Sequence, residues 1–349
     1  MLALTVRPGI ANSARLQEVA EPSPESSTLL VQTLAIGVCG TDREIIQGCY
    51  GSPPPGQDTL ILGHESLGRV LEAPAGSGFA AGDLVVGIVR RPDPVPCPSC
   101  AVGEWDMCRN GLYTEHGIKQ VHGFGAERYR IAPHHAVKLD ASLQRVGVLL
   151  EPASVVAKAW EHIEKIGQRA AWHPHRVLIT GAGPIGLLAA MMGVQRGLEV
   201  HVLDRVTEGP KPALLRDLGA TYHHGSVQEA CAGADIVLEC TGVGQLVFDV
   251  LQDMAPDGIV CLTGISSGGR LLEVDPTALN RRMVLENAVV FGTVNANRRH
   301  YEAAAVALAR ADRMWLERLI TRRVPFQRWH AALARQPHDV KTVMDLTMS

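Results

Sequence analysis

The stretch Val177 to Arg205, VLITGAGPIGLLAAMMGVQRGLEVHVLDR, constrains the fold of this chain more than any other. The apolar run Val177 to Ile179 reads as a buried strand. Gly181, Gly183 and Gly186 follow at G-x-G-x-x-G spacing, with Pro184 and Ile185 between the last two, and a helical apolar pattern starts at once. A second apolar run, Val200 to Leu203, ends in Asp204. Strand, glycine turn, helix, strand and acid within about 30 residues spell a dinucleotide-binding unit. Gly181 permits the tight turn, Gly183 lets backbone approach a pyrophosphate, and Gly186 lets the helix pack close to the strand. The helix's N-terminal N–H groups and dipole then hold the phosphates. Asp204 is placed to accept hydrogen bonds from the adenosine ribose hydroxyls, which favours NAD. Arg205, next along, could instead meet the 2′-phosphate of NADP.

The chain of 349 residues is long enough for two domains with full cores. Before the fingerprint, Leu2 to Val6, Thr28 to Ile36, Ser66 to Leu71 and Leu84 to Val89 alternate as short strands separated by Gly and Pro clusters. That pattern predicts an irregular β domain. Around Gly147 to Ile163 the pattern turns helical and marks the crossing into the nucleotide domain. Three later apolar runs, Ile236 to Leu238, Ile259 to Leu262 and Val289 to Phe291, read as further strands of a doubly buried parallel sheet. From His300 an Ala-rich helical segment and the short piece Lys341 to Met344 are expected to return to the first domain. A net charge of -3 gives no reason to expect nucleic acid or an anionic membrane as partner. With no secretory signal pattern, the eight cysteines suggest a reducing, cytoplasmic setting and metal or structural roles.

Cys39 lies in Gly37-Val-Cys-Gly-Thr-Asp42, His64 and Glu65 close Leu62-Gly-His-Glu65, and Glu151 stands in Leu149-Leu-Glu-Pro152. A thiolate, an imidazole and one or two carboxylates suit zinc, and a catalytic zinc keeps a position open. Cys97-x-x-Cys100-x7-Cys108 forms a second group. Cys240, Cys261, Met191 and Met192 read as core, whereas His134-His135 and His223-His224 read as solvated pairs.

These motifs, in this order, make the chain resemble the zinc-dependent medium-chain dehydrogenase/reductase superfamily over essentially its whole length. The carriers are Gly37-x-Cys39-Gly40-Thr41-Asp42, Gly63-His64-Glu65, Gly82-Asp83-x-Val85 and the Gly181 fingerprint. Within it the chain is similar to the glucose dehydrogenase subgroup through Gly40-Thr-Asp-Arg-Glu44, Val89-Arg-Arg-Pro92, His122-Gly123-Phe124 and Gly292-Thr-Val-Asn295. The resemblance implies an α/β chain with a GroES-like catalytic domain over 1–155, completed by 298–349. A doubly wound Rossmann domain would occupy 156–297, with the site in the cleft between them. Cys39, His64 and Glu151 would hold a catalytic Zn2+, with Glu65 an exchangeable ligand or a residue behind the ligands. The family's lobe zinc uses four cysteines. Here the first is missing and Asp93 lies close to its place, so that lobe either binds zinc through Asp93, Cys97, Cys100 and Cys108 or stays empty. Gly264, Ser266 and Asn295 would line the nicotinamide end. Thr41 would contact substrate or relay a proton, and Glu115 and Asn295 match sugar- or cofactor-contacting positions. A homodimer or homotetramer is implied, as family members form.

The implied reaction is oxidation of an aldose at C1 to the lactone with NAD(P) reduced. Hydride cannot leave an alcohol carbon until the hydroxyl has largely lost its proton, which is the need a zinc site answers. Val89 and Val155 depart from the polar sugar-binding residues of some subgroup members. A polyol (sorbitol-like) or amino-alcohol (threonine-like) dehydrogenase is therefore the rival enzyme reading. A silent NAD(P)H-binding protein on the same scaffold is the rival from another class.

Overall fold

The computed structural model describes residues 1–266 and 271–348. The chain divides into two compact units, one of Met1–Ser154 together with the chain from Asn295 onward, the other of Val155–Val294.

In the second unit the expected strands form one parallel sheet. Its spatial order is Thr221–His223, Glu199–Leu203, Arg176–Thr180, Ile236–Glu239, Ile259–Leu262 and Val289–Gly292. Numbered along the chain this is 3-2-1-4-5-6, the doubly wound order, with its switch point beside Arg176–Thr180. Val177 pairs with Val200 on one side and Ile236 on the other, so this strand is sealed by neighbours and by helices. A run without alternation is what such a position requires. Helix Pro184–Gln195 follows the glycine turn and buries Met191 and Met192 in the core.

The first unit holds the predicted strands Leu2–Val6, Leu29–Gly37, Glu65–Glu72 and Leu84–Gly87. Leu29–Gly37 organises it. One edge pairs with Glu65–Glu72 in antiparallel register, and the other pairs with Arg128–Ile131 near its start and Lys341–Asp345 near its end. The C-terminal strand thus returns to the first unit, where it lies between Leu29–Gly37 and Ile320–Pro325. Gly37 sits opposite both Glu65 and Val343. The barrel interior is packed with Val31, Ile36, Leu62, Val85, Phe124 and Tyr129, all in one cluster.

A turn between Glu115 and Gly125 packs backbone on backbone against Leu62 and Gly63. A Cβ on Gly117 would stand 2.8 Å from Gly63 O, and one on Gly123 2.4 Å from Leu62 O. Glycine is required at both places because no side chain fits. His116 anchors this turn. Arg91 can only donate and the His122 carbonyl can only accept, so Nε2 accepts from Arg91 (2.7 Å) and Nδ1–H donates to His122 O (2.6 Å). The ring is therefore neutral, and burial together with Arg91 holds its pKa well below the ordinary value. His135, expected in solvent, is buried edge-on against Trp105, and burial and Arg91 push it down to about 2; only His134 of that pair is exposed. Of the other pair expected in solvent, His224 is exposed, whereas His223 stacks on His201, with Nε2 2.7 Å from His201 Nδ1.

These two depressed histidines fix a sign. Below about pH 6.5 the unfolded chain binds protons that His116 and His135 refuse in the folded state, so stability is full above that pH and falls below it. Each histidine adds roughly 1.4 kcal/mol per pH unit to the slope between about pH 5 and 6.5. Urea titrations at several pH values should show a slope shallower by about one proton in His135→Phe; an unchanged slope would refute the assignment.

Candidate functional site

Two separate segments bring three ligand types together in the first unit. Ligand atoms of Cys39, His64 and Glu65 lie within 4.8 Å of one another. Each is placed by local structure. Cys39 has extended backbone at the N-cap of helix Gly40–Ile46, and its N–H donates to Asp42 Oδ2 at 2.8 Å. His64 and Glu65 sit at the start of Glu65–Glu72, after Gly63 turns the chain through φ +89. Thr41 Oγ1 is 3.9 Å from Cys39 Sγ, so its hydroxyl borders the group.

Behind the ligands stand residues that sequence reasoning did not assign. Asp42 Oδ1 lies 3.4 Å from His64 Nδ1, both buried. Burial opposes charge on His64, yet Asp42 outweighs it and holds the imidazole pKa well above its ordinary value. A carboxylate behind the imidazole fixes which ring nitrogen faces forward, as metal-bound histidines require. Lys341, from the C-terminal strand, forms a buried ion pair with Glu65, and its Nζ also donates to Val38 O at 3.1 Å. Burial pulls the Lys341 pKa down, but Glu65 and Cys39 more than offset this and raise it. Gly37 makes the room: a Cβ there would lie 2.0 Å from Glu65 Oε2 and 3.0 Å from Lys341 Cε.

Glu151, in the first turn of helix Leu150–Gly167, does not join the group of three. It shares the field of the site all the same. Burial pushes its carboxyl up to about 7, with His64 and Lys341 opposing and Glu65 and Asp42 adding. Tyr301 is buried beside it; burial and Glu151 raise its pKa well above the ordinary value, and its oxygen accepts from Val89 N–H at 3.3 Å.

The donor set fits zinc. One thiol, one imidazole oriented by a carboxylate, and carboxylates beside them match its preference for N, S and O ligands.

The lobe also assembles three of its expected four residues. Cys97, Cys100 and Cys108 have sulfurs within 4.8 Å. The Arg109 N–H reaching Cys97 Sγ at 3.4 Å and the Cys100 N–H pull Cys97 down to about 6, while burial and the neighbouring thiols push Cys100 up to about 11. Asp93 stays outside the group. Its buried carboxylate accepts from Val95 N–H (2.9 Å) and Asn110 Nδ2 (2.8 Å).

In the second unit the fingerprint has the form that pyrophosphate binding needs. Gly181 has φ +87, and a Cβ on Gly186 would lie 1.8 Å from Gly181 O. Gly183 caps helix Pro184–Gln195 with no side-chain cap, so the N–H groups of Ile185 and Gly186 in its first turn have no helical partner. Asp204 accepts from Ala182 N–H (2.7 Å), Val206 N–H (3.1 Å) and Lys211 Nζ (2.9 Å). Burial works against its charge, but Lys211 and the two N–H groups prevail and hold the carboxyl below its ordinary range. Lys211 carried no sequence signal, and Arg205 is exposed. A Cβ on Gly264 would strike Gly242 N at 2.1 Å, and Ser266 Oγ donates to Gly242 O at 2.7 Å. Asn295 belongs to the first unit, where its Nδ2 donates to Glu115 Oε1 at 2.8 Å.

Comparison with known proteins agrees in both halves of the chain. Residues 144–346 match the family described as Glucose dehydrogenase C-terminus, and residues 25–141 match the Alcohol dehydrogenase GroES-like domain. The chain is 39% identical to a glucose 1-dehydrogenase of Methanocella arvoryzae and 39% identical to one of Thermoproteus tenax, covering 99% of each chain in both cases. Among solved structures it is similar to Haloferax mediterranei glucose dehydrogenase in complex with NADP, Zn and gluconolactone. There the identity is 32%, the TM-score 0.92 and the coverage 100% of both chains.

Proposed function

The chain belongs to the glucose dehydrogenase family of zinc-dependent medium-chain dehydrogenases, and we propose that it oxidises glucose or a related aldose at C1 to the lactone, reducing NAD(P). One observation carries this reading. Cys39, His64 and Glu65 form a zinc-suited cluster in a chain that matches glucose 1-dehydrogenases over 99% of its length.

Zinc bound there supplies Lewis-acid chemistry, which lowers a hydroxyl pKa by several units. Cys39 and His64 hold the ion, and Glu65 and Glu151 are the carboxylates available to complete its shell. Asp42 orients His64 through Nδ1. Lys341 holds the Glu65 carboxylate over Gly37. Thr41 Oγ1 relays the sugar's proton, releasing its own to solvent as it accepts the new one. Glu115 grips the sugar, with Asn295 bound to its carboxylate. Gly181, Gly183 and the Pro184 helix hold the cofactor pyrophosphate, and Asp204 meets the ribose. Lys211 beside Asp204 supports use of both cofactors, since its ammonium suits a 2′-phosphate while the carboxylate suits ribose hydroxyls. The three lobe thiols hold a second zinc, with Asp93 as the carboxylate proposed to join them.

The reading extends to the assembly and its setting. Val289–Gly292 is the sheet's edge strand, and helix Pro276–Leu285 beside it in sequence buries no residue, leaving Val284 66% and Leu285 65% exposed. Such an apolar edge supports a homodimer or homotetramer through the nucleotide unit. All eight cysteines are free thiols, which supports the cytoplasm. Among the described residues, no helix is long and apolar enough to cross a membrane.

The test is a panel of glucose, galactose, xylose, sorbitol and threonine, assayed separately with NAD and NADP. Reduced cofactor and lactone with an aldose are expected. Turnover of sorbitol or threonine alone would refute the reading.

A further inference from the structure

We propose that Arg90 is a positioning residue for sugar recognition: with Asn295 it pins one oxygen of the Glu115 carboxylate and leaves the other to accept a sugar hydroxyl. This rests on the aldose reading above.

The geometry begins in the strand register. Arg90–Arg91 pairs antiparallel with Thr114–His116, which sets Arg90 directly opposite Glu115. Nε and Nη2 of Arg90 both donate to Glu115 Oε1, at 3.1 and 3.0 Å, and Asn295 Nδ2 adds a third donor at 2.8 Å. Oε2 receives no hydrogen bond among the described residues, although the side chain is only 6% exposed. A carboxylate normally shares an arginine fork between its two oxygens. Here all three donors fall on one, and the second, which is not sealed from outside, is left open to accept from a bound hydroxyl.

Both pinning residues are themselves held. Arg90 lies 3.7 Å over the Tyr113 ring, and its Nη1 donates to Asp106 O at 3.2 Å. Asn295 has φ +61, a left-handed conformation that is fixed by Ala296 N–H donating to its own Oδ1 at 2.8 Å. A strained, side-chain-locked residue on a buried carboxylate is the kind of arrangement that accompanies ligand recognition. The turn after Glu115 packs its backbone on Gly63, the residue before His64, which ties the two segments together.

The experiment compares wild type, Arg90→Lys and Asn295→Ala on glucose, 2-deoxyglucose and 3-deoxyglucose, with zinc content and cofactor affinity measured beside kcat and KM. Lysine keeps the charge but cannot place two N–H groups on one oxygen. Wild type should disfavour one deoxy sugar by roughly 10–100-fold in kcat/KM, the worth of a hydrogen bond to a charged group. In both variants KM for glucose should rise about tenfold, kcat should change less, and the deoxy discrimination should shrink toward none, with zinc and cofactor binding retained. If Arg90→Lys does not fold, Asn295→Ala carries the same test. The inference is overturned if wild type ignores every deoxy position, if the variants keep its discrimination, or if they slow glucose and deoxy sugars equally. Wild type inactive on all aldoses rejects the aldose reading and this inference with it. Wild type active on glucose with discrimination intact in the variants rejects this inference alone.

Discussion

Replacing Cys39 by Ser, or His64 by Ala, is expected to strip the site of zinc and lower kcat on glucose at least a thousandfold, in protein that still folds. The argument is one of magnitudes. Zinc can move the pKa of a water it holds from 15.7 to about 7, a gross effect of roughly 12 kcal/mol at 1.36 per unit. A positioned side-chain base contributes about 10²–10⁴-fold, roughly 3–5 kcal/mol. Thr41 and its neighbours therefore cannot replace the metal. Cys39 is half-buried at a helix start rather than in the core, so the serine variant should keep most of the stability while losing the sulfur ligand. Metal analysis beside steady-state kinetics checks both halves, and wild-type kcat in Cys39→Ser would exclude a metal role for that thiol.

The second large effect is on stability. Lys341→Met should destabilise the first unit by about 3–5 kcal/mol, because it leaves Glu65 as a buried charge without its cation. Both side chains are 2% exposed, so solvent does little to rescue the survivor. The double variant Lys341→Met/Glu65→Leu should recover most of the loss, since a buried pair replaced by apolar groups is often nearly neutral. Denaturant unfolding with metal chelated would show this. A Lys341→Met protein as stable as wild type, or a double variant no better than the single, would contradict the assignment. Gly37→Ala should cost about 1–3 kcal/mol for the neighbouring reason of crowding: its Cβ would land 2.0 Å from the Glu65 oxygen.

The nucleotide unit was legible because its signals are local. Gly181, Gly183, Gly186 and Asp204 fall within one βαβ segment, and the strands near Ile236 and Ile259 are buried on both faces and so uninterrupted, whereas Val289–Gly292, expected to be buried likewise, is a half-buried edge. Cys39, His64 and Glu65 were legible as motif residues, in Gly37-Val-Cys39-Gly40 and Gly63-His64-Glu65. What stayed hidden depends on register between distant strands. Nothing around Lys341 announces that it will meet Glu65; that follows only once Lys341–Asp345 pairs with Leu29–Gly37 and Gly37 leaves a gap. Arg90 is likewise defined by the strand opposite it, and Lys211 by the fold-back of its helix onto Asp204. His135 was misplaced because nothing local announces that it packs against Trp105, while the adjacent His134, its ring 4.1 Å away, stays exposed. Asp93 lies near the lobe as its spacing suggests, but Val95 N–H and Asn110 occupy its carboxylate.

The central claim is that aldose oxidation depends on an ion shared by Cys39, His64 and a neighbouring carboxylate. Titrating zinc into chelator-stripped protein while following NAD(P)H formation with glucose tests it most directly. Activity should return in step with bound zinc in the wild type and stay absent in Cys39→Ser and His64→Ala. Full turnover in stripped protein containing no zinc would contradict the account.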